Sequence, residues 1–251
     1  LASVALAALV FYGVLTAIGL FQLLRIARLE HWQDWDQPAR LLILSPHEDD
    51  CTIGAGGIGS RNRRLGGVTR IVYLAADEVI PERRAAEARA AWAIAGVAPE
   101  DVLHLDLLPP FRDRDPARLR AAALALRAII DDFRPTTIVV PMFEGGHVHH
   151  DMAAGLVAQV RGPADRFDVL EAPEYGPYTS LLNTPHRVLT LCTRWLCGLV
   201  SYYGPPDGVD GRTILKYRLD EIDLACKRRM LAAFESQNGP SLAETKGYHD
   251  R

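Results

Sequence analysis

From residue 40 onward the sequence alternates short, nearly unbroken apolar runs with longer alanine-rich stretches dotted with Arg and Glu. The runs are LLIL (41–44), TRIVYLA (69–75), VLHLDL (102–107) and TTIVVP (136–141), with VLEAPE (169–174) a weaker fifth. They have strand length and lack the polar alternation of a sheet with one wet face, so they predict strands buried on both sides. Helices are predicted over about 55–64, 81–95, 116–133 and 151–161, then over about 186–200 and 214–236. Strand and helix in alternation, joined by right-handed crossovers, give an α/β fold: a doubly wound, mostly parallel sheet with helices on both faces. The 251 residues, 49% of them hydrophobic and 24% charged, can bury a core of that size.

A different pattern precedes this one. Residues 1–24 carry no charge and are followed by Arg25 and Arg28. A bilayer core needs about 20 apolar residues, and the apolar part of a signal peptide only about 7–15, so the segment predicts a transmembrane anchor. Residues 25–39 are polar, with Trp32 and Trp35 placed as interfacial aromatics and Pro38 as a helix breaker, and predict a juxtamembrane linker. Residues 40–251 are then a single globular domain. Arg25, Arg28 and Arg40 favour a single-pass membrane protein with that domain in the cytoplasm. The later apolar stretch 186–204, interrupted by Arg187 and Arg194, predicts a half-buried core helix, with an interfacial helix near lipid as the alternative, and not a second span.

Composition narrows the chemistry. A net charge of -3 provides no basic field, which excludes nucleic acid as a partner. Cys51, Cys192, Cys197 and Cys226 form no C-x-x-C pair, against both a disulfide scaffold and a cysteine zinc site. A metal, if bound, must use His and Asp.

In a doubly wound sheet ligands bind beyond the carboxyl ends of the strands. Directly after the first strand comes SPHEDDC (45–51), and after the fourth FEGGHVHHD (143–151). A catalytic zinc takes three protein ligands of the His and carboxylate type and keeps one position open for water. One His and one Asp from the first cluster and one His from the second supply that number. Asp49 and Asp50, pointing in different directions, offer both a ligand and a base for the metal-bound water. His147 is the candidate for stabilising a tetrahedral oxyanion.

PHEDD followed by a glycine-rich stretch, and EGGHVHHD about 95 residues later, resemble the two signatures of the LmbE-like, PIG-L family of zinc-dependent N-acetylglucosaminyl deacetylases. The family's usual forms are HPDDE and HPDH. The similarity runs from about Arg40 to Ser236 and Gln237 and includes Arg84-x-x-Glu87 and the FRPTTIVVP strand. It implies a Rossmann-like fold with His47, Asp50 and His150 as zinc ligands, Asp49 as general base, His147 on the oxyanion and Arg84 near the substrate. The activity implied is attack of zinc-bound water on an acetamido sugar, free or lipid-linked, in a small-molecule conjugate. A pairing of Arg84 with Glu87 on the helix surface competes with the substrate role.

The departures are equally specific. Glu48 stands for the usual Pro, Cys51 for the Glu that closes HPDDE, and His149 for the Asp of HPDH. Loss of that Asp removes a group that would orient and charge His147, a task open to Glu144 or Asp151. Cys51 reads as a small buried residue at a helix start. Two alternatives remain. Gly54 to Gly59 satisfies G-x-G-x-x-G with Asp77 beyond it, as in a dinucleotide-dependent oxidoreductase, but residues 45–53 separate it from the strand end where a pyrophosphate would sit. Close packing of the first helix on the sheet accounts for these glycines as well. A catalytically silent, metal-binding membrane domain is suggested by the altered motifs and opposed by the retained Asp49.

Overall fold

The computed structural model describes residues 2–75, 79–105, 115–143, 147–172 and 214–247. Its centre is a five-stranded, all-parallel sheet of β2 (Arg40–Ser45), β3 (Val68–Tyr73), β4 (Val102–His104), β5 (Thr137–Pro141) and β6 (Asp168–Ala172) in the order β4-β3-β2-β5-β6. The chain builds outward from β2 on one side, then returns to add β5 and β6 on the other. The direction of winding thus reverses between β2 and β5, the place where such folds open a crevice.

Unbroken apolar runs are explained by the two faces. Leu41 and Ile43 pack with residues of α2 (Asp50–Arg64), α3 (Pro81–Ile94) and α6 (Glu221–Ala232), among them Ile58, Trp92 and Met230. Leu42 and Leu44 face the opposite layer, formed by α4 (Pro116–Phe133) and α5 (Val148–Val160) through Leu126, Ile130, Ala153 and Val157. Alternate residues of one strand point to opposite faces, so a strand with helices on both sides is apolar along its middle, with polar side chains such as Ser45 and Thr69 near its ends. Local signals set the helix ends. Asp115 caps α4 by accepting from Ala117 N at 2.8 Å with Pro116 at the first helical position, and Arg134, at φ 50°, turns the chain out at the other end.

Two differences from the sequence reading have a local cause. The first helix begins at Asp50, inside the acidic cluster, and not near 55. Residues 214–217, expected to open the last helix, are instead β7 (Ile214–Tyr217), paired in parallel with β1 (Glu30–Gln33). Helix starts only after Asp220, whose side chain accepts from Asp223 N at 2.9 Å, and α7 (Gly239–Lys246) follows α6. The β-branched and aromatic residues of ILKY had found a strand partner in the stretch read as a linker. The predicted helix over 186–200, and strand residues 106, 107, 173 and 174, lie outside the described residues.

The expected membrane anchor is corrected. Residues Ala2–Leu29 form a helix, α1, but among the described residues no helix is long and apolar enough to cross a membrane. With the anchor goes the single-pass, cytoplasm-facing arrangement inferred from Arg25, Arg28 and Arg40. Arg40 has a structural use: its guanidinium donates to Phe133 O at 2.8 Å and to Arg134 O at 3.2 Å, closing the C-terminus of α4. Trp35, read as interfacial, is buried, edge-on to Tyr217 at 5.5 Å.

Candidate metal centre

β2 and β5 are hydrogen-bonded neighbours, so the segments leaving their carboxyl ends meet. The first is fixed by Ser45, whose hydroxyl donates to His47 O at 2.7 Å and accepts from Cys51 N at 3.1 Å. This knot turns the chain directly into α2, with Asp50 in its first turn. On the other side His147 is the N-cap of α5, its Nδ1 accepting from His149 N at 3.3 Å, and His150 follows in the first turn.

Asp50 Oδ2 is the point of convergence. It lies 2.8 Å from His47 Nδ1 and 3.1 Å from His150 Nε2. One ligand atom from each of the three lies within 4.8 Å of the others, with Asp50 and His150 buried and His47 partly open. An anionic oxygen and two imidazole nitrogens, closed on the protein side and open on one edge, fit the donor set of a catalytic zinc. The electrostatics agree with a carboxylate kept ionised: burial works against it, but hydrogen bonds from His150 and His47 hold the Asp50 carboxyl well below its usual range. Burial also opposes protonation of His47, yet Asp50, Asp49 and Glu48 together raise its pKa, so proton and metal compete for one lone pair.

Asp49, next in sequence, is turned elsewhere. Its Oδ1 accepts from Arg84 Nη2 at 2.8 Å, while Arg84 Nε donates to Glu48 Oε2 at 3.2 Å. Burial and the neighbouring Asp50 charge raise the Asp49 pKa against the pull of Arg84, which suits a group that must accept a proton. Glu48 is raised as well, by burial, with Arg84 opposing. Arg84 is only 5% exposed and does not pair with Glu87, which instead accepts from Arg83 Nε at 3.1 Å and Ser236 N at 3.0 Å. Arg84 therefore touches the predicted base directly. Sequence reading had treated Glu48 as a mere departure; its side chain is the second arm of the Arg84 clamp.

His147 lies beside the triad, its ring centroid 5.1 Å from that of His47 and 5.0 Å from that of His150. Burial and the nearby His150 and His47 lower its pKa. His149, passed over as a substitution, has Nδ1 2.9 Å from His47 Nε2 and is pushed down to about 4 by burial and by His47 and His147. The run HVHH was the available signal, since a helix start places residues 147, 149 and 150 around one turn. Glu144 and Asp77 lie outside the described residues, and Asp151 is half-buried.

Cys51 is no ligand in this arrangement. Its thiol is buried, donates to Tyr73 Oη at 3.3 Å, and is pushed up to about 12 by burial. The glycines of the dinucleotide-like pattern sit inside α2 and not at a strand-to-helix turn. A Cβ on Gly59 would come 2.6 Å from Trp92 Cζ3, and one on Gly54 2.8 Å from Ala172 Cβ, so packing accounts for both.

The sequence matches no curated protein. Residues 42–161 match the family model PIG-L, GlcNAc-PI de-N-acetylase. Among solved structures, a deacetylase of the teicoplanin biosynthesis pathway superposes with a TM-score of 0.56 at 17% identity, covering 78% of this chain and 84% of that one. The A40926 pseudoaglycone deacetylase Dbv21 gives 0.57 at 17% identity over 81% of this chain and 83% of that one. At these identities the likeness is one of fold. The segment matched by the family model contains both loops of the candidate centre. Through residues 42–161, just under half of its length, the chain matches the PIG-L, LmbE-like family model.

Proposed function

We propose that the protein is a zinc-dependent amidohydrolase that removes the N-acetyl group from an N-acetylglucosamine-type sugar conjugate. The observation that carries this reading is the convergence of His47, Asp50 and His150 on one point with a second carboxylate, Asp49, held beside it by Arg84. The description of the matching family and the deacetylase names of the superposed structures support the amide as the bond that is cut. His47, Asp50 and His150 would hold the zinc, which when bound supplies Lewis acidity toward water and a carbonyl oxygen.

The remaining chemistry belongs to the chain. Asp49 presents Oδ2 to a water while Arg84 fixes Oδ1, so the carboxylate accepts a proton without rotating away. Because His147 Nδ1 is occupied as the acceptor of a backbone N–H, the neutral ring carries its hydrogen on Nε2. That N–H donates to the oxygen on which charge develops, and the lowered pKa keeps the ring a neutral donor. Asp49 then returns its proton to the leaving amine. Mass-spectrometric screening of the zinc-loaded protein against a panel of GlcNAc conjugates tests the reading. Release of acetate from at least one conjugate, abolished in Asp49→Asn, is expected; zinc binding with no release from any amide would refute it.

A further inference from the structure

A second set of ligand atoms meets on the other edge of the His47 ring. His47 Nε2 is 2.9 Å from His149 Nδ1, and ring nitrogens of His47, His147 and His149 lie within 4.8 Å of one another. The three ring centroids are 5.1, 5.1 and 4.9 Å apart, and all three rings are partly open, unlike Asp50 and His150. The start of α5 sets two of them side by side, with His149 N donating to His147 Nδ1 at 3.3 Å; ligation through His147 Nε2 moves the ring hydrogen to Nδ1 and gives up that contact. Zinc–nitrogen bonds of about 2.0–2.1 Å put tetrahedral ligands roughly 3.3 Å apart, within a small ring rotation of the positions here. Three imidazoles with no carboxylate select zinc, copper or nickel over magnesium or calcium.

We propose that His47, His147 and His149 form a second site for a borderline divalent cation such as zinc, overlapping the first site and competing with it for His47. A neutral imidazole has one lone pair and one N–H. When His47 serves the first site through Nδ1, its Nε2 carries the hydrogen and donates to His149. When it serves the second through Nε2, Nδ1 carries the hydrogen and donates to Asp50. One ring therefore serves one site at a time. The first site has an anionic, buried oxygen and is the tighter; the second fills when zinc is in excess and takes His147 away from the substrate. That last consequence, lost turnover, rests on the proposed function, whereas the binding does not.

Calorimetric titration of the metal-stripped full chain with zinc chloride tests the site. Asp50→Ala and His150→Ala each dismantle the first site through a different element, so one background serves if the other does not fold, as judged by circular dichroism. Each folded background should keep one weaker zinc per chain. Adding His149→Ala should weaken that zinc by at least about a hundredfold, beyond the roughly 10- to 100-fold expected of a residue that only orients a ligand. No zinc in the folded backgrounds, or zinc indifferent to His149→Ala, would overturn the second site. Wild-type binding indifferent to Asp50→Ala and His150→Ala but lost in His149→Ala would instead overturn the first, so the two readings fail separately.

Discussion

The two ends of the central sheet are both rich in buried polar groups, and they treat them in opposite ways. At the amino end Asn62 is fully buried with every bond made: it accepts from Ala39 N at 2.8 Å and Trp35 Nε1 at 3.4 Å, and donates to Ala39 O, Val68 O and Thr69 Oγ1 at 3.0 to 3.2 Å. Nearby, Arg61 and Arg64 meet the buried Asp223 at 3.1 and 2.9 Å. Donor faces acceptor and cation faces anion, so the groups tie α2, α6 and the strand ends together and have nothing left to offer a ligand. At the carboxyl end Glu48, Asp49 and Asp50 are consecutive carboxylates with a single guanidinium between the first two, and four histidines crowd the remaining side. Burial of polar groups does not mark a site. Like groups gathered at one point, with too few partners of opposite sign, do.

The sharpest break of this contrast lies between adjacent carboxylates. Asp49→Asn should keep tight zinc and lose about 10²- to 10⁴-fold in deacetylation rate, because an amide cannot take the proton. Asp50→Asn should lose the tight zinc itself, since a neutral oxygen poorly replaces an anionic ligand. Zinc content and rate are measured together, and equal metal loss in both variants would end the division of labour.

Next in size is Arg84→Gln, which leaves buried Glu48 and Asp49 facing each other; by the usual cost of breaking a buried pair it should destabilise by about 3–5 kcal/mol in urea unfolding. It should also lower kcat more than it raises KM, and a variant with full stability would show that the clamp is not under charge strain. At the opposite end Asn62→Leu strands several backbone groups and should cost about 3 kcal/mol while leaving the zinc affinity of the folded protein unchanged. A fall in that affinity would mean that the two ends are not separate in function.

The smallest effect concerns Glu171, near the carboxyl end of β6, which burial pushes up to about 7. The folded state then binds a proton that the unfolded chain, with an ordinary carboxylate near 4.5, has released, so stability is full at low pH and falls as pH rises through the window from about 4.5 to 7. Glu171→Gln should flatten that decline in melts compared at pH 5 and pH 8, and an unchanged slope would place the titrating group elsewhere.

The sheet and its helices were legible because both faces of the strands are covered: apolar runs without alternation allow little else. Adjacent β2 and β5 also let two separate clusters be read as one site. What escaped notice were pairings between distant segments. The partnership of β1 with β7 joins residues about 180 positions apart, and no local pattern in EHWQ announces it. Arg84 looked like a surface partner for Glu87 because spacing along one helix is visible in a sequence, whereas Glu48, on another element, is not. The apolar stretch at 1–24 satisfied a length rule, yet no span is found among the described residues. His149 looked like a loss because it replaced a carboxylate; only its position against His47 shows what it gained.

Asp50 and Gly59 share α2, nine residues or about 13 Å apart along its axis. A helix of this length moves as a stiff lever, and its distance from α3 is set where Gly59 lies against Trp92. Bulk added there has to lift the helix, and the carboxylate at its far end is carried with it. The grip on the metal is thus tuned from within the hydrocarbon interior, by a residue with no chemistry of its own. Gly59→Ala should appear in a zinc titration as a weakened ligand set although every ligand is still present.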